Sequence, residues 1–106
     1  MVIAFDFDHT LDCVQLQQLA IKMRRERNEI WVVTARSDND YNRKVIEPVL
    51  KKLGLTFLSV IFCNEKSKYE YIKGIYADIY IDNITDEFED LINQTNTIPL
   101  LWNSYL

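Results

Sequence analysis

The sequence predicts an α/β fold: a central parallel sheet of about five strands with helices on both faces, three-layered and Rossmann-like. Three observations point to it. Short apolar runs alternate with amphipathic stretches along the whole chain, the pattern of strands joined by right-handed helical crossovers. Only two glycines and two prolines are present, so long flexible loops have little room. The polar residues that stand out close apolar runs: Asp6 and Asp8, then Thr34, then Asp82. In parallel sheets ligands bind at the carboxyl ends of the strands, where such residues gather.

Each element has its own signal. Residues 2–7 read as a buried strand. From about 14 to 27, Leu16, Leu19, Ala20 and Met23 recur at helical spacing, with Lys22, Arg24, Arg25 and Arg27 elsewhere on the turn. "EIWVVTA" (29–35) is rich in β-branched and aromatic residues and forms the second strand. Residues 41–53 form a helix with Tyr41, Val45, Val49 and Leu53 on one stripe and Gly54 as its stop. Pro48 either kinks this helix or marks its first turn. "FLSVIFC" (57–63) is the third strand, and "SKYEYIKGI" (67–75) a helix with Ser67 as N-cap. "ADIYID" (77–82) is the fourth strand, 85–94 a helix, and "IPLLW" (98–102) a fifth strand, placed at an edge by its proline.

The totals bound the rest. At 106 residues the chain reads as one domain, 1–106, and 48% hydrophobic with 26% charged residues is an ordinary globular composition. No transmembrane run is present, and Asp6 interrupts the apolar opening too early for a signal peptide. Cys13 and Cys63 stand fifty residues apart and His9 is the only histidine. This excludes most zinc patterns and a disulfide framework, and predicts a reducing, cytoplasmic setting. The net charge of −4 is uneven, since all twelve Lys and Arg residues fall at or before Lys73 and six acids follow it. A uniformly basic nucleic-acid binder is not expected, although 22–27 is a local basic cluster.

The opening "VIAFDFDHTLD" (2–12) poses the chemical question. Were the strand to continue through them, Asp6 and Asp8 would share a face, and two like charges that close repel. A divalent cation or a shared proton makes the arrangement sensible. Asp at a strand end is commonly a turn former, Thr34 alone a satisfied hydroxyl, and Lys66 or Lys68 alone a solvated charge. Their order, Asp-x-Asp-x-Thr, then Thr, then Lys, then Asp, is more specific than any one of them.

With those residues in that order, the chain resembles the haloacid dehalogenase superfamily of phosphohydrolases and phosphotransferases. "DFDHTL" looks like its first motif, "VVTAR" its second, Lys68 its third and "IYIDN" its fourth. The resemblance implies a haloacid-dehalogenase-like phosphatase in which Asp6 attacks phosphorus to give an aspartyl-phosphate and Asp8 acts as acid and then base. It implies Mg2+ held by the Asp6 carboxylate, the Asp8 backbone carbonyl and Asp82. Thr34, with Ala35, and Lys68 would hold the phosphoryl oxygens. Thr10, Asn83 and Asp86 would support these residues from behind.

Two departures mark this chain. His9 stands where the first motif usually has glycine, and Asn83 stands where the fourth often has a second acid. Asp86 either supplies that carboxylate or is an exposed acid in a helix's first turn. Lys68 lies fourteen residues before Asp82, which fits the short family pattern, and Lys66 is the second choice. Only 25 residues separate Asp8 from Thr34, which leaves no room for a cap domain. The resemblance then implies an open site whose phosphorylated substrate is large or polymeric, or one covered by a second copy or partner subunit. No membrane is involved. The rival readings are a phosphatase acting on polynucleotide 3′ or 5′ ends, held through Lys22, Arg24, Arg25 and Arg27, and a non-catalytic or receiver-like phosphate-binding module. Receivers carry the phosphorylated Asp after a middle strand and end on the Lys, an order this chain does not have.

Overall fold

Alternation along the first strand, β1 (Val2–Phe5), sorts the core into two halves. In the computed structural model, which describes residues 1–103, Ile3 and Phe5 face one side and Ala4 the other. The Ile3 side also buries Leu16 and Ala20 of α1 (Val14–Arg25), Ile30 and Val32 of β2 (Glu29–Thr34), and Ile46, Leu50 and Leu53 of α2 (Asp40–Leu53). The Ala4 side buries Ile72 of α3 (Tyr69–Gly74), Tyr80 of β4 (Ile79–Asp82) and Leu91 of α4 (Phe88–Gln94). Two helices therefore cover each face of one sheet, giving the expected three layers.

With β3 (Val60–Phe62) and β5 (Ile98–Leu101) the sheet has five parallel strands in the order β3-β2-β1-β4-β5. The chain moves outward from β1 through β2 to β3, then returns to lay β4 on the other flank of β1. The order thus reverses between β1 and β4, and the carboxyl ends of those two strands form the crevice where ligands bind in such sheets. β5 lies at an edge, as its proline predicts. The Ile98 and Trp102 N–H groups point inward to Asp78 and Asp82 carbonyls at 2.9 and 2.8 Å. Pro99 takes the alternate, outward position, where a missing donor blunts the free edge.

Several expected boundaries shift for local reasons. β1 stops at Phe5, because the Asp6 carbonyl accepts the Leu11 N–H at 3.1 Å and the Phe7 carbonyl the Asp12 N–H at 3.2 Å, closing a wide turn. Asp6 and Asp8 therefore do not share a strand face. His9 sits in that turn at φ 60, which explains why glycine suits the position. Histidine is among the residues that tolerate it better than most. Residues 57–59 form a helical turn rather than strand, with the Thr56 hydroxyl accepting the Leu58 N–H at 3.3 Å. The buried stripe of α2 is Ile46, Leu50 and Leu53, and Tyr41, expected on it, is 72% exposed. Pro48 stands inside α2 on its solvent side, where water can satisfy the Lys44 carbonyl that the proline leaves unbonded.

Gly54 does end α2, at φ 69, and the Arg24 guanidinium donates to the adjacent Leu53 carbonyl at 3.2 Å. A Cβ on residue 54 would lie 2.7 Å from Arg24 Nη1. Gly54→Ala is therefore expected to lower stability by about 1–2 kcal/mol, from the left-handed backbone and the displaced arginine, read as a lower denaturation midpoint with an unchanged slope.

The basic cluster is also placed by topology. Lys22, Arg24 and Arg25 close α1, and Arg27 leads into the start of β2. They lie at the amino ends of the strands, roughly 17 Å of strand length from Thr34, on the rim opposite Asp6.

Candidate active site

Four segments meet at the carboxyl ends of β1, β2 and β4. Asp6 follows β1 directly and is anchored by its N–H, which donates to the Ile81 carbonyl at 2.9 Å. Its side chain is 8% exposed. The Thr10 hydroxyl, brought back by the wide turn, donates to Asp6 Oδ2 at 3.1 Å. Lys68 Nζ donates to Asp6 Oδ1 in a short, buried ion pair. The same ammonium lies 3.6 Å from Asp82 Oδ2 and donates to the Tyr80 hydroxyl at 3.3 Å, and that hydroxyl donates to Asp82.

Burial is the strongest influence on Asp6 and pushes its carboxyl up to about 6, with Lys68 opposing and Asp82 adding to the rise. Burial works to lower the Lys68 ammonium, but the charge and hydrogen bond of Asp6, together with Asp82, outweigh it and leave it raised. Two carboxylates around one ammonium is net negative in a buried place. Such a cluster is made tolerable by a further positive charge.

Asp8 is elsewhere. Its extended backbone turns the carboxylate away from Asp6 toward Arg36, whose Nε and Nη2 donate to Oδ2 and Oδ1 at 3.0 and 2.8 Å. Arg36 is itself steadied by Asn42, which accepts from Nη1 at 2.7 Å. The two aspartates are thus separated by being given one cation each. The Asp8 side chain is 43% exposed against 8% for Asp6, so the site opens to solvent on the Asp8 side.

Thr34 is fully buried at the end of β2, and its hydroxyl accepts the Arg36 N–H at 3.2 Å, folding residues 34–36 into a tight turn that carries Ala35. Asp82 Oδ1 accepts the Ile84 N–H at 3.1 Å in the matching turn after β4. Asn83 completes the cluster. With its nitrogen turned inward, its side chain donates to Asp6 Oδ2 and Asp82 Oδ1, both at 3.1 Å, and to the Asp8 carbonyl at 3.2 Å.

The structure buries Lys68 on Asp6 and leaves Lys66 exposed. It also reassigns two supporting roles. Ser67 does not cap α3; the Glu87 carboxylate does, accepting the Lys68 and Tyr69 N–H groups at 2.9 and 3.1 Å and the Ser67 hydroxyl at 2.9 Å. Asp86 is exposed, and it is Glu87 that this turn brings to the backbone of Lys68. Arg36, Tyr80 and Glu87 are the site residues that the sequence reading passed over. Arg36 stood two residues after Thr34, and Tyr80 stands on the same strand face as Asp82. Glu87 carries no local signal, because its partners lie 18 to 20 residues earlier.

A divalent cation fits this donor set. Asp6 Oδ2, Asp82 Oδ1 and the Asp8 carbonyl gather around a single atom of Asn83, and two carboxylates with a peptide carbonyl are the hard oxygen donors that Mg2+ takes. Among the described residues no group of three or more His, Cys, Asp or Glu side chains has metal-binding spacing. The reason is visible: the third oxygen belongs to the backbone of Asp8, whose carboxylate is engaged by Arg36. No helix among the described residues is long and apolar enough to cross a membrane.

No protein-family model matches the chain, and no curated protein or solved structure matches it either.

Proposed function

We propose that the chain is a Mg2+-dependent phosphomonoesterase of the haloacid dehalogenase type without a cap domain, working through an aspartyl-phosphate on Asp6. One observation carries this reading: a buried Asp6 lies between Lys68 and the Asp82–Asn83 turn, at the point where the strand order reverses. In the first step an Asp6 oxygen bonds to phosphorus and the bond to the ester oxygen breaks, that oxygen taking a proton from Asp8. In the second, water bonds to phosphorus while Asp8 takes its proton, and the bond to Asp6 breaks to release phosphate. Arg36 fixes the Asp8 carboxylate by two hydrogen bonds while leaving it open to solvent, which suits the base of the second step; for the first step a proton has to displace one of those hydrogen bonds. Lys68 and the Thr34–Ala35 turn offset the charge on the phosphoryl oxygens. Mg2+, held by Asp6, Asp82 and the Asp8 carbonyl, would lower the repulsion between the carboxylate and an anionic phosphate.

The open flank supports a substrate large enough to cover the site, or a second copy or partner subunit acting as lid. The basic residues 22–27 do not favour a polynucleotide in that role, since they stand on the opposite rim. The reading is tested by a phosphatase screen with Mg2+ across sugar phosphates, nucleotides and 3′- or 5′-phosphorylated oligonucleotides, in which at least one class turns over only with the metal. Asp8→Asn separates the roles further. Its loss on an alkyl phosphate is expected to exceed that on a nitrophenyl phosphate by about 10²-fold, since a good leaving group needs little protonation. Equal losses on the two esters count against Asp8 as the acid.

A further inference from the structure

Asn83 stands where a second acid is common in the family that the chain resembles, and its geometry gives the difference a purpose. One terminal atom of its carboxamide lies 3.1 Å from Asp6 Oδ2, 3.1 Å from Asp82 Oδ1 and 3.2 Å from the Asp8 carbonyl. All three neighbours are acceptors. An amide nitrogen brings two hydrogens to them, whereas an aspartate there would add a fourth acceptor to a cluster that already carries two carboxylates. A carboxamide has a second face. Turned by half a rotation it presents its carbonyl oxygen to the same point, which suits a cation or the water that a cation carries.

We propose that the Asn83 side chain is a two-faced group that turns with metal occupancy: nitrogen inward without a divalent cation, oxygen inward with one. This rests on the reading that the Asp6–Asp82 cluster takes a divalent cation. Thr10 supports both states. Its hydroxyl lies 3.1 Å from Asp6 Oδ2 and 3.3 Å from the same terminal atom of Asn83. The Thr10 hydroxyl has one hydrogen to place, so it can donate to Asp6 in the first state, where the two amide hydrogens are directed at the three oxygens, and to the Asn83 oxygen in the second. An aspartate at 83 has no donor to offer and only one of the two states. Asn83 thus keeps the metal-free protein stable at the expense of metal affinity.

Mg2+ alone, without substrate, is the probe. The wild-type protein and Asn83→Asp are titrated with it, reading the thermal midpoint, the Mg2+ affinity, and the Asn83 side-chain amide signals by NMR, assigned by their loss in the variant. Without metal, Asn83→Asp is expected to melt below the wild type. With saturating Mg2+ the order narrows or reverses, and the variant binds Mg2+ about tenfold more tightly through its extra charge. In the wild type both Asn83 amide hydrogens lose their hydrogen-bonded shifts as Mg2+ saturates. If the backbone signals of Asp6 and Asp82 move with Mg2+ but the Asn83 amide does not, the cation reading stands and the turning side chain is overturned. A metal-free Asn83→Asp as stable as the wild type overturns it as well. If Mg2+ moves none of these signals, the cation reading itself is wrong and the proposal goes with it.

Discussion

Asp6→Asn is expected to abolish phosphomonoester turnover, by a factor on the order of 10⁴ or more, while leaving the protein folded. The substitution keeps the shape of the side chain and an oxygen that can accept from Lys68. What it removes is the carboxylate proposed to bond to phosphorus, and no neighbour replaces it: Asp82 is held by Tyr80 and the Ile84 N–H, and Asp8 by Arg36. Phosphate release and near-ultraviolet circular dichroism, measured together, check both halves of the statement. Beryllium fluoride, which mimics a phosphoryl group on a carboxylate, should bind the wild type and not the variant. Near-normal turnover by Asp6→Asn on a good substrate would leave the mechanism without its nucleophile.

Lys68→Met should produce the largest loss of stability among the site variants, about 3–5 kcal/mol at neutral pH, because it strands two buried carboxylates without their cation. The Lys68 side chain is 9% exposed, and Asp6 and Asp82 are 8% and 2% exposed, so solvent screens the pair little. The pH dependence has a definite sign. Asp6 already titrates near 6, above an ordinary aspartate, and losing Lys68 raises it further. A carboxyl raised on folding binds its proton more tightly in the native state, so stability falls as pH rises through the folded value. The deficit of Lys68→Met should therefore grow as pH rises through that raised value and shrink as Asp6 becomes protonated toward acid pH. Denaturation midpoints at a series of pH values read this directly. Lys66→Met is the control, since Lys66 is exposed, and it should change neither stability nor turnover. Equal effects of the two substitutions would refute the assignment of Lys68.

Much of this was legible in the one-dimensional pattern, and the exceptions have physical causes. The strands were found because apolar β-branched runs are local signals, and their endings marked Asp6, Thr34 and Asp82 without reference to any distant residue. The stripe of α2 was misjudged because Val45 and Val49 lie at the margin of the buried face, so the same helix admits two nearly parallel apolar rows. The wide turn after Phe5 was missed because its hydrogen bonds span five residues, a spacing that neither strand nor helix periodicity reveals. Ser67 looked like a helix cap from its neighbours alone, and the carboxylate that performs the task comes from Glu87, on the turn leading into α4.

The sequence by itself determined the order of strands and helices, the parallel sheet, and which residues end at its carboxyl rim, because these follow from backbone periodicity and burial acting over a few residues at a time. Only the tertiary structure decided how the charges are shared. It gave Lys68 to Asp6 and Arg36 to Asp8, set Tyr80 between Lys68 and Asp82, gathered three oxygens around Asn83, and moved the basic cluster to the far rim. Each of those is a distance between residues far apart in the chain, fixed by where β4 returns to lie beside β1. Electrostatic energy depends on such distances and on burial, and neither is written in the spacing of the letters.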